Sequence, residues 1–219
     1  MVLNRQTGNM YVFVTHTWNP IKGKCKHNCE YCYMKIWKQK PLHLVEKELN
    51  DNLGKGNFIF IGSSTDMFAE DVPEEWIIKV LAKCRDYEDN TYLFQTKNPA
   101  RYWVLLNNYP KNTIFGVTLE TNRDTKDISK APSTGARVSN MQEVFMKRKM
   151  ITIEPIIDFD LKPFVEMIKQ VNPEWVNIGA DSQNHNLLEP SPEKIDALIK
   201  ELKKFTKVKL KDNLRRLLC

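Results

Sequence analysis

Residues 58–66 read Phe58-Ile59-Phe60-Ile61-Gly62-Ser63-Ser64-Thr65-Asp66, and the chain resumes from Pro73 as Glu74-Glu75-Trp76-Ile77-Ile78-Lys79-Val80-Leu81-Ala82-Lys83-Cys84-Arg85-Asp86-Tyr87. The first run is short, apolar and bounded by glycine and serine, which predicts a buried strand over 58–62. The second places Trp76, Ile77, Val80, Leu81 and Cys84 at helical spacing and leaves Glu74, Glu75, Lys79, Lys83 and Asp86 for solvent. Pro73 stands where a helix starts, so a helix is predicted over 74–87. A strand, a polar loop and an amphipathic helix make the first part of a parallel crossover.

The same alternation recurs on both sides. Strands are predicted at 11–15, 91–96, 113–119, 150–154 and 175–179, and helices at 42–53, 100–107, 141–147, 161–170 and 193–205. Six strand–helix units are too few to close an eight-fold barrel. The predicted fold class is therefore α/β, a partial (βα)6 barrel, in a single domain over 1–219. A seventh β-like run, 207–211, is expected at one edge.

Composition sets the outer bounds. Lys and Arg number 33 against 27 Asp and Glu, a net charge of +6, with 42% hydrophobic and 27% charged residues. These proportions exclude disorder. No apolar run approaches the roughly 18 residues that cross a bilayer, and the opening residues lack an apolar signal segment, so a cytoplasmic protein with no membrane partner is expected.

In parallel barrels the working groups gather where strands end. The predicted ends deliver Ser63-Ser64-Thr65-Asp66, Thr96-Lys97-Asn98, Thr118-Leu119-Glu120-Thr121, Glu154-Pro155 and Gly179-Ala180-Asp181-Ser182 to one rim. Strand ends are polar in any protein, but five together beside a cysteine loop point to a site. Asp66 could instead cap a helix, Glu120 could pair with a basic neighbour, and Glu154 needs a partner if buried.

That loop reads Cys25-Lys26-His27-Asn28-Cys29-Glu30-Tyr31-Cys32-Tyr33. Of the five cysteines, Cys84 lies on an apolar helix face and Cys219 stands alone, so a disulfide scaffold is not indicated. Three thiolates at C-x3-C-x2-C spacing can hold an iron–sulfur cluster with one iron left open. Zinc, with His27 or a remote residue as fourth ligand, is the competing reading.

With Tyr31 just before its last cysteine, the loop resembles the signature of the radical S-adenosylmethionine (SAM) superfamily. Asn19-Pro20-Ile21-Lys22-Gly23 and Tyr31-Cys32-Tyr33 resemble the opening of the spore photoproduct lyase-like branch. Further motifs resemble a phage and prokaryotic radical-SAM-like family without assigned function. They are Thr17-Trp18-Asn19-Pro20, Asp66-Met67-Phe68, Val72-Pro73-Glu74-Glu75-Trp76, Thr96-Lys97-Asn98-Pro99, Gly116-Val117-Thr118-Leu119-Glu120-Thr121, Ile153-Glu154-Pro155 and Trp175-Val176-Asn177-Ile178-Gly179. Two departures stand out: Lys24 separates Gly23 from Cys25, and Gly179-Ala180-Asp181-Ser182 stands where that family resembles Gly-Gly-Glu-Ser.

The resemblance implies a radical SAM enzyme in which Cys25, Cys29 and Cys32 hold a [4Fe-4S] cluster and SAM chelates the open iron. Reduction then yields methionine and a 5′-deoxyadenosyl radical that abstracts hydrogen from a substrate. It places the methionine end of SAM at Ser63, Ser64, Thr65 and Asp66, the ribose and carboxylate at Thr118, Glu120 and Glu154, and adenine near Tyr31, Gly179 and Asp181. Trp18 and Trp37 flank the loop, where they would shield the cluster or touch substrate. An external one-electron reductant is implied, and the target is left open among a nucleic acid, a nucleotide, a small metabolite and a substrate presented by a partner protein. Charge bears on that choice: 22–40 carries net +5, 200–219 net +6 and 41–75 net −6. The alternative class is a non-catalytic binding module for nucleic acid or protein, stabilised by zinc or an inert cluster.

Overall fold

The structure is a computed structural model and describes residues 3–144 and 147–218. In chain order the strands are β1 (Asn4–Arg5), β2 (His16–Trp18), β3 (Ile21–Lys22), β4 (His43–Leu44), β5 (Phe58–Ile61), β6 (Thr91–Thr96), β7 (Thr113–Thr118), β8 (Arg148–Ile153), β9 (Trp175–Ile178) and β10 (Lys207–Leu210). The helices are α1 (Glu74–Arg85), α2 (Ala100–Val104), α3 (Thr134–Glu143), α4 (Leu161–Val171) and α5 (Pro192–Leu202). Eight strands form one sheet in the order β1-β2-β5-β6-β7-β8-β9-β10, while β3 and β4 pair separately. Within the large sheet, among the described residues, β1 alone runs antiparallel, and β2 and β5 to β10 are mutually parallel; β3 and β4 pair antiparallel. Among the described residues β1 and β10 do not pair with each other, so the sheet is open.

The pleat sorts side chains onto two faces. Ile59, Ile61, Tyr92, Phe94, Phe115, Val117, Ile151, Ile153, Val176 and Ile178 enter the larger core with Ile77, Leu81, Val138, Phe164, Ile168 and Leu198 from the helices. The alternate residues Phe60, Leu93, Ile114, Met150 and Trp175 face the other way and meet Tyr11 and Val14. Beyond that apolar floor the same face carries Gln95, Thr118 and Glu154, which line a cavity. The sheet therefore offers an apolar base and a polar mouth.

Residues 11–15, expected as a strand, complete this floor instead. They are not a strand; a turn closes with Val14 N–H donating to Tyr11 O at 3.0 Å, and both side chains are buried. The segment plugs the sheet's inner face, and the first parallel strand follows as β2. The helix expected at 42–53 is also replaced, by β4 and a 3-10 turn over Glu46–Asn50. Pairing of Ile21 with Leu44 and a 2.5 Å contact between Lys22 Nζ and Glu48 override its helical periodicity.

The helix expected at 141–147 begins earlier, at Thr134, where Ser133 Oγ accepts from Ala136 N at 3.3 Å. Phe145 and Met146 from that stretch lie outside the described residues, as does Cys219. The helix expected at 100–107 divides into α2 and a 3-10 turn over Leu106–Asn108. The seventh run is the parallel edge strand β10. Among the described residues no helix is long and apolar enough to cross a membrane.

Candidate metal and cofactor cavity

The strand ends and the cysteine loop enclose a cavity of about 670 Å³ lined by Cys25, Cys29 and Cys32. Also on its walls are Tyr31, Ser63, Ser64, Thr65, Asp66, Lys97, Thr118, Glu154 and Asp181. Sequentially remote segments thus converge on one space.

Successive contacts staple the cysteine loop to the end of β5. Asn19 Oδ1 accepts from Ser63 Oγ at 3.1 Å and from Ser64 N at 3.0 Å. Thr65 Oγ1 donates to Gly23 O at 3.0 Å, and His27 Nε2 lies 3.0 Å from Asp66 Oδ2. Asp66 then ties this ladder to β6, accepting from Thr96 Oγ1 at 2.8 Å and Lys97 N at 2.8 Å. It also accepts from Phe68 N at 3.0 Å, a local turn and not the cap of α1. Burial raises the Asp66 pKa, but His27, Lys97 N–H and Thr96 outweigh it and hold the carboxyl below its ordinary value. Gly23 is obligatory: its φ is +114° and a Cβ would lie 2.4 Å from Pro41 O. Asn28, between the first two cysteines, also has a left-handed φ of 44°.

The thiols differ in surroundings. Burial and the Asp66 charge push the Cys25 thiol up to about 12. Cys29 is buried, with its Sγ 3.1 Å from Ser129 Oγ, and Cys32 is partly exposed. Cys84 is fully buried in the larger core and takes no part.

Behind Cys29 lies a buried ionic group. Tyr31 donates its hydroxyl to Glu120 Oε1, and Arg137 Nη1 lies 2.7 Å from Glu120 Oε2. Both Glu120 and Arg137 side chains are 0% exposed. Arg137 also donates to Thr118 O at 2.8 Å and Pro132 O at 2.7 Å, while its Nη2 has no partner among the described residues. Lys97 Nζ stands 3.8 Å from Glu120 and 5.4 Å from the centre of the Tyr31 ring. Burial opposes ionisation of Glu120, yet Arg137, Lys97 and the Tyr31 hydroxyl hold its carboxyl below the ordinary value. Burial and Glu120 together raise the Tyr31 pKa. Burial lowers that of Lys97, but Cys29 and Glu120 outweigh it and raise it overall.

The opposite wall is also paired. Lys211 Nζ sits 2.8 Å from the Glu154 carboxylate, and Asn9 Nδ2 donates to Glu154 Oε1 at 3.2 Å. Gly179 makes room for this carboxylate, since a Cβ there would lie 3.0 Å from Glu154 Cδ. Asp181 accepts from the backbone of His185 and Gln183, with His185 Nδ1 at 2.7 Å. Burial works against its ionisation, but these donors leave the carboxyl below its ordinary value. Thr118 Oγ1 accepts from Gln95 Nε2 at 3.2 Å, and Gln95 Oε1 accepts from the Tyr11 hydroxyl at 2.9 Å.

Of the residues singled out from sequence, the three cysteines, Tyr31, Ser63, Ser64, Thr65, Asp66, Thr118, Glu154 and Asp181 line the cavity. Glu120 lies behind the wall and Gly179 beneath Glu154, so both support lining groups. Trp18 is buried in the larger core, while Trp37 is 56% exposed. His27 faces Asp66. Sequence reading gave no site role to Lys211, Asn19, Gln95 or Arg137, although Asn19 stands in two of the quoted motifs. Lys211 directly follows the seventh strand, so the strand-end rule extends to it; a lone arginine on a helix gives no such signal. Among the described residues, no three His, Cys, Asp or Glu side chains converge closely enough to hold a single metal ion.

Comparison with known proteins places this geometry. A cysteine-to-serine variant of spore photoproduct lyase superposes with a TM-score of 0.68 at 12% identity, covering 95% of this chain and 80% of that one. A doubly substituted variant with bound AdoMet and dinucleoside spore photoproduct gives 0.68 at 11% identity with the same coverage. A cysteine-to-alanine variant with dinucleoside spore photoproduct gives 0.69 at 12%, again over 95% and 80%. At such identity the likeness is one of fold: a mostly parallel α/β sheet of the kind spore photoproduct lyase has. No curated protein matches the chain. Residues 10–191 match the family described as Protein of unknown function (DUF5131), and the chain belongs to that family.

Proposed function

We propose that the chain is a radical SAM enzyme in which Cys25, Cys29 and Cys32 hold a [4Fe-4S] cluster, with S-adenosylmethionine beside it. The carrying observation is convergence: three free thiols of C-x3-C-x2-C spacing line one cavity with the strand ends of a parallel sheet. The donor set fits the group. Thiolates are the ligands that hold iron–sulfur clusters, and Cys25, Cys29 and Cys32 are free and line the same cavity. Three cysteines for four irons leave one position for a small molecule. When bound, the cluster supplies the electron that splits the SAM sulfonium and gives the 5′-deoxyadenosyl radical that takes hydrogen from substrate.

The chain's own part is to hold and shield. The Asn19–Ser63, Gly23–Thr65 and His27–Asp66 contacts fix the loop against β5. Glu120 and Arg137 fix Tyr31 next to Cys32. Ser63, Ser64, Thr65 and Asp66 stand on the wall assigned to the methionine end of SAM, and Thr118 and Glu154 on that of its ribose and carboxylate. Asp181 and Tyr31 would hold the adenine. The apolar floor of Tyr11, Phe60 and Leu93 keeps water from one side. Spore photoproduct lyases of this fold with AdoMet and dinucleoside spore photoproduct support a nucleobase-containing substrate. Residues 1–219 act as one cytoplasmic core unit, reduced by an external one-electron donor.

Anaerobic reconstitution with ferrous iron and sulfide tests the reading. The expected chain takes up about four irons and four sulfides, turns brown and bleaches on reduction with dithionite, and Cys29→Ala loses all three properties. Stoichiometric zinc with no iron would overturn it.

A further inference from the structure

The two basic stretches of the sequence behave differently once folded. Near the C-terminal end Lys204 pairs with Glu201, Lys211 with Glu154, Arg215 with Asp212 and Arg216 with Glu189. Lys209 lies 4.1 Å from the centre of the Phe13 ring. Half of the eight cations there are thus matched within the molecule, while Lys200, Lys203 and Lys207 are exposed and form no ion pair among the described residues. Around the cysteines, Lys22 pairs with Glu48 and Lys26 with Glu70. Among the described residues, however, Lys24, Lys35, Lys38 and Lys40 are exposed and form no ion pair. Glu30, the one acid of this stretch, lines a separate small cavity.

Amid these cations stand Ile36, 62% exposed, and Trp37, 56% exposed. Their backbone is not loose. The Tyr33 hydroxyl donates to Ser63 O at 2.7 Å, Gln39 Nε2 to Met34 O at 2.6 Å, and Lys24 N to Lys40 O at 2.9 Å. Lys24 and Lys35 also line the cavity. An exposed aromatic ring on a fixed backbone among uncompensated cations is what single-stranded nucleic acid requires: cations track phosphates and the ring stacks on a base. A duplex would keep its bases from both the ring and the cavity, since a base that reacts must leave the stack.

We propose that Lys24, Lys35, Trp37, Lys38 and Lys40 form a docking lip for single-stranded DNA or RNA, which delivers a base to the cavity. Delivery rests on the radical SAM reading, but docking does not. The test is fluorescence anisotropy of the full chain, reconstituted and metal-free in parallel, with labelled twelve-nucleotide DNA, the same sequence as RNA, and the DNA duplex. Single strands are expected to bind at least tenfold tighter than duplex, and the tighter of DNA and RNA identifies the source. Trp37→Ala weakens binding about tenfold while Trp37→Phe stays close to the parent. Combined Lys35→Gln, Lys38→Gln and Lys40→Gln lowers the slope of log K against log salt by about 2, at roughly 0.7 per phosphate contact. Equal binding of duplex, indifference to Trp37→Ala, or no binding overturns the lip. Strand binding by a chain that takes up no iron upholds the lip and sinks the enzyme reading alone.

Discussion

Glu120 carries a negative charge where its side chain has no contact with solvent, and it is bearable there because Arg137, Tyr31 and Lys97 surround it. Arg137 depends on it in turn, since the guanidinium is equally buried and already has one unpartnered nitrogen. Glu120→Gln leaves that cation uncompensated and is expected to cost about 3–5 kcal/mol in urea unfolding. Tyr31→Phe removes one hydrogen bond and is expected to cost about 1–3 kcal/mol by the same measurement. A Glu120→Gln protein within 1 kcal/mol of the parent would mean the pair is not structural. The sequence displayed Glu120 as a strand-end acid, and pairing with a basic neighbour was a fair expectation. Arg137 could not be identified as that neighbour, because an arginine in a helix ordinarily reads as solvated and only the fold sets it against Thr118 O and Glu120.

At the scale of elements, legibility followed how far each segment depends on its neighbours. The β6 stretch is read at its true bounds, 91–96, because a run of apolar and aromatic residues closes on Lys97-Asn98-Pro99. The 11–15 segment looks equally strand-like, but its side chains fill a floor that only the assembled sheet creates. The cysteine loop was legible through its spacing, whereas its ladder to β5 was not, since Asn19, Gly23 and His27 find their partners through the fold. Gly23→Ala tests this level. Its Cβ would collide with Pro41 O and displace the loop, so iron uptake is expected to fall by more than half while the far-ultraviolet circular dichroism stays unchanged. Full iron uptake would show that the loop tolerates the shift.

Across the whole molecule, one cluster of charges links three elements. Arg123, beyond β7, lies 2.5 Å from Asp158 and 2.7 Å from Asp160, which follow β8; Lys194 of α5 lies 2.5 Å from Asp158. Burial works against ionisation of Asp158, but Lys194 and Arg123 hold its carboxyl below the ordinary value of 3.8. Arg123 does the same for Asp160. The unfolded chain therefore binds these protons more readily, and the stabilisation is complete above pH 3.8 and lost as pH falls through the folded values. Thermal melts should show the midpoint dropping below about pH 4, with Arg123→Gln flattening that drop; identical pH profiles for parent and variant would contradict it. Cys25, Cys29 and Cys32 converge on one cavity, and the proposed function rests on their holding a cluster there with SAM beside it. Its most direct test is formation of 5′-deoxyadenosine from SAM by the reconstituted, dithionite-reduced chain under anaerobic conditions. Deoxyadenosine that is absent with Cys29→Ala is the expected result, and a fully loaded, reducible cluster that yields none with or without single-stranded nucleic acid would contradict it.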